Sequence, residues 1–207
     1  MGVGNTASSA QDATEGCCDA GTSGENVLVL GNSMADDADA YCIDRLSAPH
    51  GPIAPNLLLV SLDDTPDSRF DAVVRPGVGT PSNVGIVCCD RTRSAAAADP
   101  QHGPGFAPGP WITTVSSPGD LTGLGVRIGQ ALTTWTDDPG PIELCFHSLT
   151  TLLQYVDERA VFRLCHALTR HLETVGANSH FHLDPSAVDE RTVAMLSALF
   201  DRVKDCT

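Results

Sequence analysis

The sequence predicts an α/β fold, a mostly parallel central sheet flanked by helices. Three observations carry that reading. Short continuous apolar runs recur at 27–30 (VLVL), 56–62 (NLLLVSL), 84–89 (VGIVCC) and 142–146 (IELCF), as expected of strands covered on both faces. Stretches of helical period lie between them, and Gly, Pro and Asp mark the junctions. Strands that alternate with helices build a parallel sheet through crossover connections.

Taken in order, residues 1–25 are Gly, Ser, Ala, Thr and acid with almost nothing to bury, and read as a disordered tail ahead of a single domain at 26–207. The first strand ends at Gly31, and a helix begins near Ala35 with Ala38, Tyr41, Cys42 and Leu46 on one stripe. Pro49, Gly51, Pro52 and Pro55 mark a loop, and the second strand ends in Asp63 and Asp64. Residues 70–74 are expected to form a short edge strand, and the Ala, Gly and Pro-rich stretch 95–110 a mobile surface loop. After a strand at 112–115, Asp120 caps a helix that runs to Trp135. Gly123, Gly125 and Gly129 on that helix imitate a dinucleotide fingerprint, but the spacing is G-x-G-x-x-x-G and no acid follows to take a ribose; close helix-to-sheet packing is the expected use. Asp157 caps the most amphipathic helix, with Val161, Leu164, Cys165, Leu168, Leu172 and Val175 on its stripe and Gly176 at its end. Residues 178–183 are read as the last strand, and Val193, Leu196, Leu199, Phe200 and Val203 as the stripe of a closing helix.

Charge narrows the function classes. Lys and Arg total 12 against 26 Asp and Glu, a net charge of −14, and Lys204 is the only lysine. Nothing in such a chain neutralises phosphates, so neither nucleic acid nor an anionic membrane is expected as a direct partner. Aspartate excess with lysine scarcity resembles proteins of extremely halophilic archaea, where molar salt screens self-repulsion. No apolar run approaches the ~20 residues of a membrane helix and no secretion signal opens the chain, so a cytoplasmic protein is expected.

Eight cysteines lack any C-x-x-C spacing. Cys17-Cys18 and Cys88-Cys89 are adjacent pairs with no diagnostic role, and Cys42, Cys88, Cys145 and Cys165 sit in apolar stretches as small reduced core residues. His180 and His182 share one strand face, and His147 at the end of another strand could approach them, which raises zinc binding or pH sensing. No pair has a helical ligand spacing, and no metal and no cofactor are expected.

The strand, glycine and helix at 26–46 have the layout of a phosphate loop, G-x-x-x-x-G-K-[ST], in which backbone amides and Lys hold phosphate and the hydroxyl holds magnesium. Counting from Gly31, Asp36 stands at the second Gly, Asp37 at the Lys and Ala38 at the Ser/Thr. Two carboxylates replace one cation, and the metal ligand is gone.

Three passages together resemble the RecA/KaiC-like P-loop ATPases: NVLVLG with its helix, NLLLVSLDDTP, and IELCFHSLTTLLQYVD. The resemblance implies a RecA/KaiC-like P-loop fold. It places Asp63 and Asp64 at the family's catalytic acids, and His147, followed by Ser148, at the Walker B position where a magnesium-linked Asp belongs. With Asp36, Asp37, Ala38 and His147 all departing from the pattern, the resemblance implies a pseudo-ATPase without catalytic residues. Such a domain is expected to act by protein–protein interaction, in signalling or transcriptional regulation, with a protein partner or a second copy of itself. A non-hydrolysing nucleotide or small-ligand binding protein is the alternative reading.

Overall fold

The computed structural model describes residues 24–32, 37–47, 53–63, 81–89 and 111–207, with residues 37–39 and 47 described as helix backbone alone. The expected tail up to residue 23, Asp36, Asp64, the edge strand at 70–74 and the loop at 95–110 lie outside the described residues. Among those described, seven strands form one parallel sheet in the order β4-β3-β2-β5-β6-β1-β7. They are β1 (Asn26–Leu30), β2 (Asn56–Ser61), β3 (Asn83–Cys89), β4 (Trp111–Val115), β5 (Ile142–His147), β6 (Asn178–Leu183) and β7 (Arg202–Asp205). The helices are α1 (Asp37–Ser47), α2 (Leu121–Trp135), α3 (Leu149–Leu153), α4 (Glu158–Val175) and α5 (Glu190–Ser197).

The chain steps from β1 through β2 and β3 to β4, then returns through β5 and β6 to β7 at the far edge. Right-handed crossovers put those two runs on opposite faces, and the core divides accordingly. On one face Leu28, Leu58, Leu144, Phe146 and Phe181 pack beneath α2, α4 and α5. On the other, Cys42 and Leu46 of α1 meet Leu57, Leu59, Ile86 and Cys145, and Tyr41 meets Val27 and Val29. Four strands open with asparagine, and these side chains tie the amino edge together: Asn83 donates to Asn56 at 2.6 Å, Asn178 to Glu143 at 2.6 Å, and Asn26 accepts from Ser179 at 2.6 Å. Buried amides must find partners of this kind.

Several expectations hold in detail. Asp120 and Asp157 cap α2 and α4, and Gly176 closes α4 in the left-handed conformation at φ 67°. Others do not. The closing helix stops at Ser197, and 202–205 is strand β7. Phe200 packs against Phe181 with ring centroids 5.1 Å apart, and Asp201 accepts the Asn26 amide at 2.8 Å, so the chain turns back along β1 instead of winding on. Gly24 and Glu25, assigned to the tail by composition, belong to the domain: both amides donate to the Asn178 side chain, and Glu25 pairs with Arg202 at 3.1 Å. The α2 glycines do not bring helix and sheet together. Leu124, Ile128 and Leu132 make that contact, Gly123 leaves room for the Asp120 cap, Gly129 passes His171 of α4, and a side chain at Gly125 would meet nothing. Close approach happens instead at Gly85 on β3, where an added Cβ would lie 2.9 Å from the Trp135 ring.

Candidate functional site

Where the chain leaves two neighbouring strands in opposite directions, a crevice opens beyond their carboxyl ends, and open α/β sheets bind ligands there. Here that point lies between β2, which leads outward to β3, and β5, which leads back to β6. Asp63 follows β2, and β5 ends in His147. The Leu62 amide donates to the His147 carbonyl at 3.1 Å, which extends the pairing of the two strands to the crevice. Ser148, joined to His147 by a cis peptide, caps α3 by accepting from the Thr151 amide at 3.2 Å. The Thr151 hydroxyl donates to the Asp63 carboxylate at 2.9 Å, and the Ser148 hydroxyl lies 3.1 Å from that of Thr151. His147 Nδ1 stands 3.7 Å from the other Asp63 oxygen, an electrostatic contact longer than a hydrogen bond. Burial pushes the Asp63 carboxyl up, but His147, Thr151 and its own backbone amide together outweigh that and bring it below the ordinary carboxylate value. The arrangement holds a carboxylate in its ionised form.

Gly31, at the end of β1, lies two strands away from β5. The Gly31 amide donates to the Leu183 carbonyl at 3.1 Å, so it continues the sheet and does not face an anion. Helix α1 starts at Asp37, with Ala38 as its second residue. Asp36, Asp37 and Asp39 stand close together in the sequence where α1 begins.

A second constellation lies beneath α1, on the same face of β5 and β6. Cys145 and His180 are register partners across the two strands, and His182 is two residues further along. Cys42 descends from α1, its Sγ 3.1 Å from that of Cys145, a thiol contact and not a disulfide. His182 Nε2 lies 3.8 Å from Cys145 Sγ. The four donor atoms all fall within 4.8 Å of one another, and every one of the four residues is buried. Tyr41 meets the His180 ring edge-on at 5.9 Å between centroids. Burial holds the His182 imidazole down at about 4, against the opposing pull of Cys145.

A cleft of about 300 Å³ between α3, α4 and α5 is acidic, but its carboxylates are already used. Asp157 and Asp189 cap α4 and α5, and Glu158 accepts the Thr192 hydroxyl at 3.0 Å. It is a joint between helices.

The structure brings together Asp63, His147 and Ser148, and adds Thr151, to which the sequence assigned no role. It separates His147 from the role of third ligand beside His180 and His182. Its ring centroid is 5.2 Å from that of His182, yet Nδ1 is turned to Asp63. Cys42 and Cys145, read as small hydrophobes, are indeed buried, but against imidazoles. The signal that could have found them is the match between H-x-H on one strand and Cys on its neighbour, which only strand order and register supply.

The family of unknown function DUF7504 matches residues 24–204, and the chain belongs to it. No curated protein matches the chain. Among solved structures it is similar to one described as a structural study of Project ID PH0250 from Pyrococcus horikoshii OT3, at 11% identity and a TM-score of 0.55, over 90% of this chain and 83% of that one. At that identity the likeness concerns the fold alone.

Proposed function

We propose that this domain is a RecA/KaiC-like pseudo-ATPase that has lost phosphoryl chemistry and acts through protein contacts in the cytoplasm, in signalling or transcriptional control. The observation that carries the reading is the state of Asp63. The residue in the position of a catalytic acid is engaged by Thr151 and faces His147, which stands where a magnesium-linked carboxylate belongs. Triphosphate binding rests on loop amides, a Lys and a held magnesium. Here the Gly31 amide is taken by β6, and Asp37 and Ala38 occupy the Lys and hydroxyl positions. Each lost contact costs ~1.5–3 kcal/mol, the scale of a charged hydrogen bond, and four of them remove several orders of magnitude of affinity. Half-exposed apolar residues on both sheet edges, Ile112 on β4 and Val203 on β7, support a protein partner, with a second copy of the chain also fitting that description.

Equilibrium dialysis of labelled magnesium-ATP against the full chain in molar KCl is the test. Retention at micromolar nucleotide overturns the proposal, as does turnover that Asp63→Asn abolishes.

A further inference from the structure

We propose that Cys42, Cys145, His180 and His182 form a closed zinc site that fastens α1 to the sheet. The site does not depend on the nucleotide question.

Geometry comes first. Zinc holds thiolate sulfur at about 2.3 Å and imidazole nitrogen at about 2.0–2.1 Å, which places neighbouring donors of a tetrahedron about 3.3–3.8 Å apart. Cys42 and Cys145 stand at 3.1 Å and Cys145 and His182 at 3.8 Å, with all four donors inside 4.8 Å. Movements of about an ångström, within the reach of side-chain torsions, bring all four onto one ion. The same span leaves no room for two irons and their bridging sulfides, so a cluster does not fit.

Burial supplies the second, independent observation. His180 is 1% exposed, and among the described residues neither of its ring nitrogens has a hydrogen-bond partner; the same holds for His182 Nδ1. A buried imidazole without partners is costly. The surroundings are apolar, with Val27, Val29, Leu57 and Leu59 on the same sheet face. A ligand that accepts nitrogen lone pairs removes the conflict, and a cation does so.

The donor set selects the ion. Two sulfurs and two nitrogens in a tetrahedral frame suit zinc, whereas magnesium and calcium require oxygen. Binding releases one proton from each cysteine, so two thiolates and a divalent ion sum to zero charge, and the imidazoles remain neutral. A neutral complex is what a core of this kind tolerates.

All four positions come from the protein and all four are buried, which is the signature of a structural centre with no open coordination position. Three ligands sit on β5 and β6, elements held by strands on both sides, and the fourth is on α1. The ring of Tyr41, next to Cys42, lies against His180 and fixes its plane. The ion would thus anchor α1, through Cys42, to the two strands that carry the other three ligands.

The test uses the full chain, reduced, in molar KCl, stripped with a chelator and titrated with cobalt(II). The expected result is uptake of one cobalt per chain, with the intense visible bands of a tetrahedral site and thiolate charge-transfer absorption, both erased by zinc. Cys42→Ser should weaken binding by about 100-fold or more, and Cys88→Ser, in the same core but outside the cluster, should leave it intact. A pale octahedral spectrum, an absence of uptake, or bands that survive Cys42→Ser overturn the proposal. A Cys42–Cys145 disulfide whose reduction restores no binding also overturns it. Should Cys42→Ser not fold, zinc-edge X-ray absorption of the wild-type chain decides: a shell of two sulfurs and two nitrogens supports the site, and an oxygen shell sinks it.

Discussion

Thr151 and Asp63, 88 residues apart in the chain, meet at the crevice between β2 and β5, where the hydroxyl donates to the carboxylate at 2.9 Å while His147 Nδ1 stands 3.7 Å from its second oxygen. The carboxylate is lowered in the folded state, so its contribution to stability is complete above the unfolded value of 3.8 and is lost as pH falls through the folded value. Asp63→Asn is expected to lower the melting temperature by a small amount at pH 5 and above, since a half-exposed pair is worth less than about 1 kcal/mol. The gap should close below about pH 4. Melts of both proteins across that range check it; a gap that persists in acid would remove the charge from the explanation.

Helix capping is the next expectation. Asp157 accepts from the Ala160 amide at 2.8 Å and Asp189 from the Thr192 amide at 2.7 Å. Replacing either by Ala should cost about 1 kcal/mol, and by Asn much less. Urea unfolding should show the midpoint fall with an unchanged slope.

Two glycines should respond in opposite directions. A Cβ at Gly85 would press on Trp135 at 2.9 Å and on Leu58 and Trp111 at 3.1 Å, so Gly85→Val should cost about 1–3 kcal/mol and alter tryptophan emission. A Cβ at Gly125 meets nothing within 4 Å in mid-helix, so Gly125→Ala should stabilise by about 0.5–1 kcal/mol. Denaturation curves of the pair separate packing from helix propensity.

Salt should matter greatly. A net charge of −14 with a single lysine repels itself, and the screening length falls from ~10 Å at 0.1 M salt to ~3 Å at 1 M. The melting temperature should rise steadily with KCl. A flat profile between 0.1 and 3 M would sink the halophile reading.

Much of the fold was legible because burial on both faces leaves an unmistakable mark. The runs at β1, β2, β3 and β5 are continuous apolar stretches, and the Asp157 and Gly176 signals bracket α4 to the residue. β7 escaped because its four residues, Arg-Val-Lys-Asp, carry one apolar side chain, and the preceding Leu199 and Phe200 fit a helical stripe equally well. What makes 202–205 a strand is the edge of β1, which local sequence does not encode. The crevice was legible in part, since Asp63, His147 and Ser148 stand in recognisable passages. Thr151 was not, because its role depends on which strands are neighbours. The cysteine–histidine cluster was hidden for the same reason: its members lie 103 residues apart at Cys42 and Cys145, and 37 apart at Cys145 and His182.

The pairing of β1 has a bearing on how the chain is made. Both of its neighbours, β6 and β7, come from the far end of the domain: Asn26 is aligned with Ser179, and Val27 with Arg202. On a ribosome the first strand emerges early and has no partner until nearly all the rest has been synthesised. Contacts of such long sequence separation slow folding and expose unpaired edges meanwhile. The most apolar segment at the start of the domain, VLVL, must therefore be kept from aggregating throughout translation, and a ribosome that stalls before residue 202 releases a chain whose sheet cannot close around it.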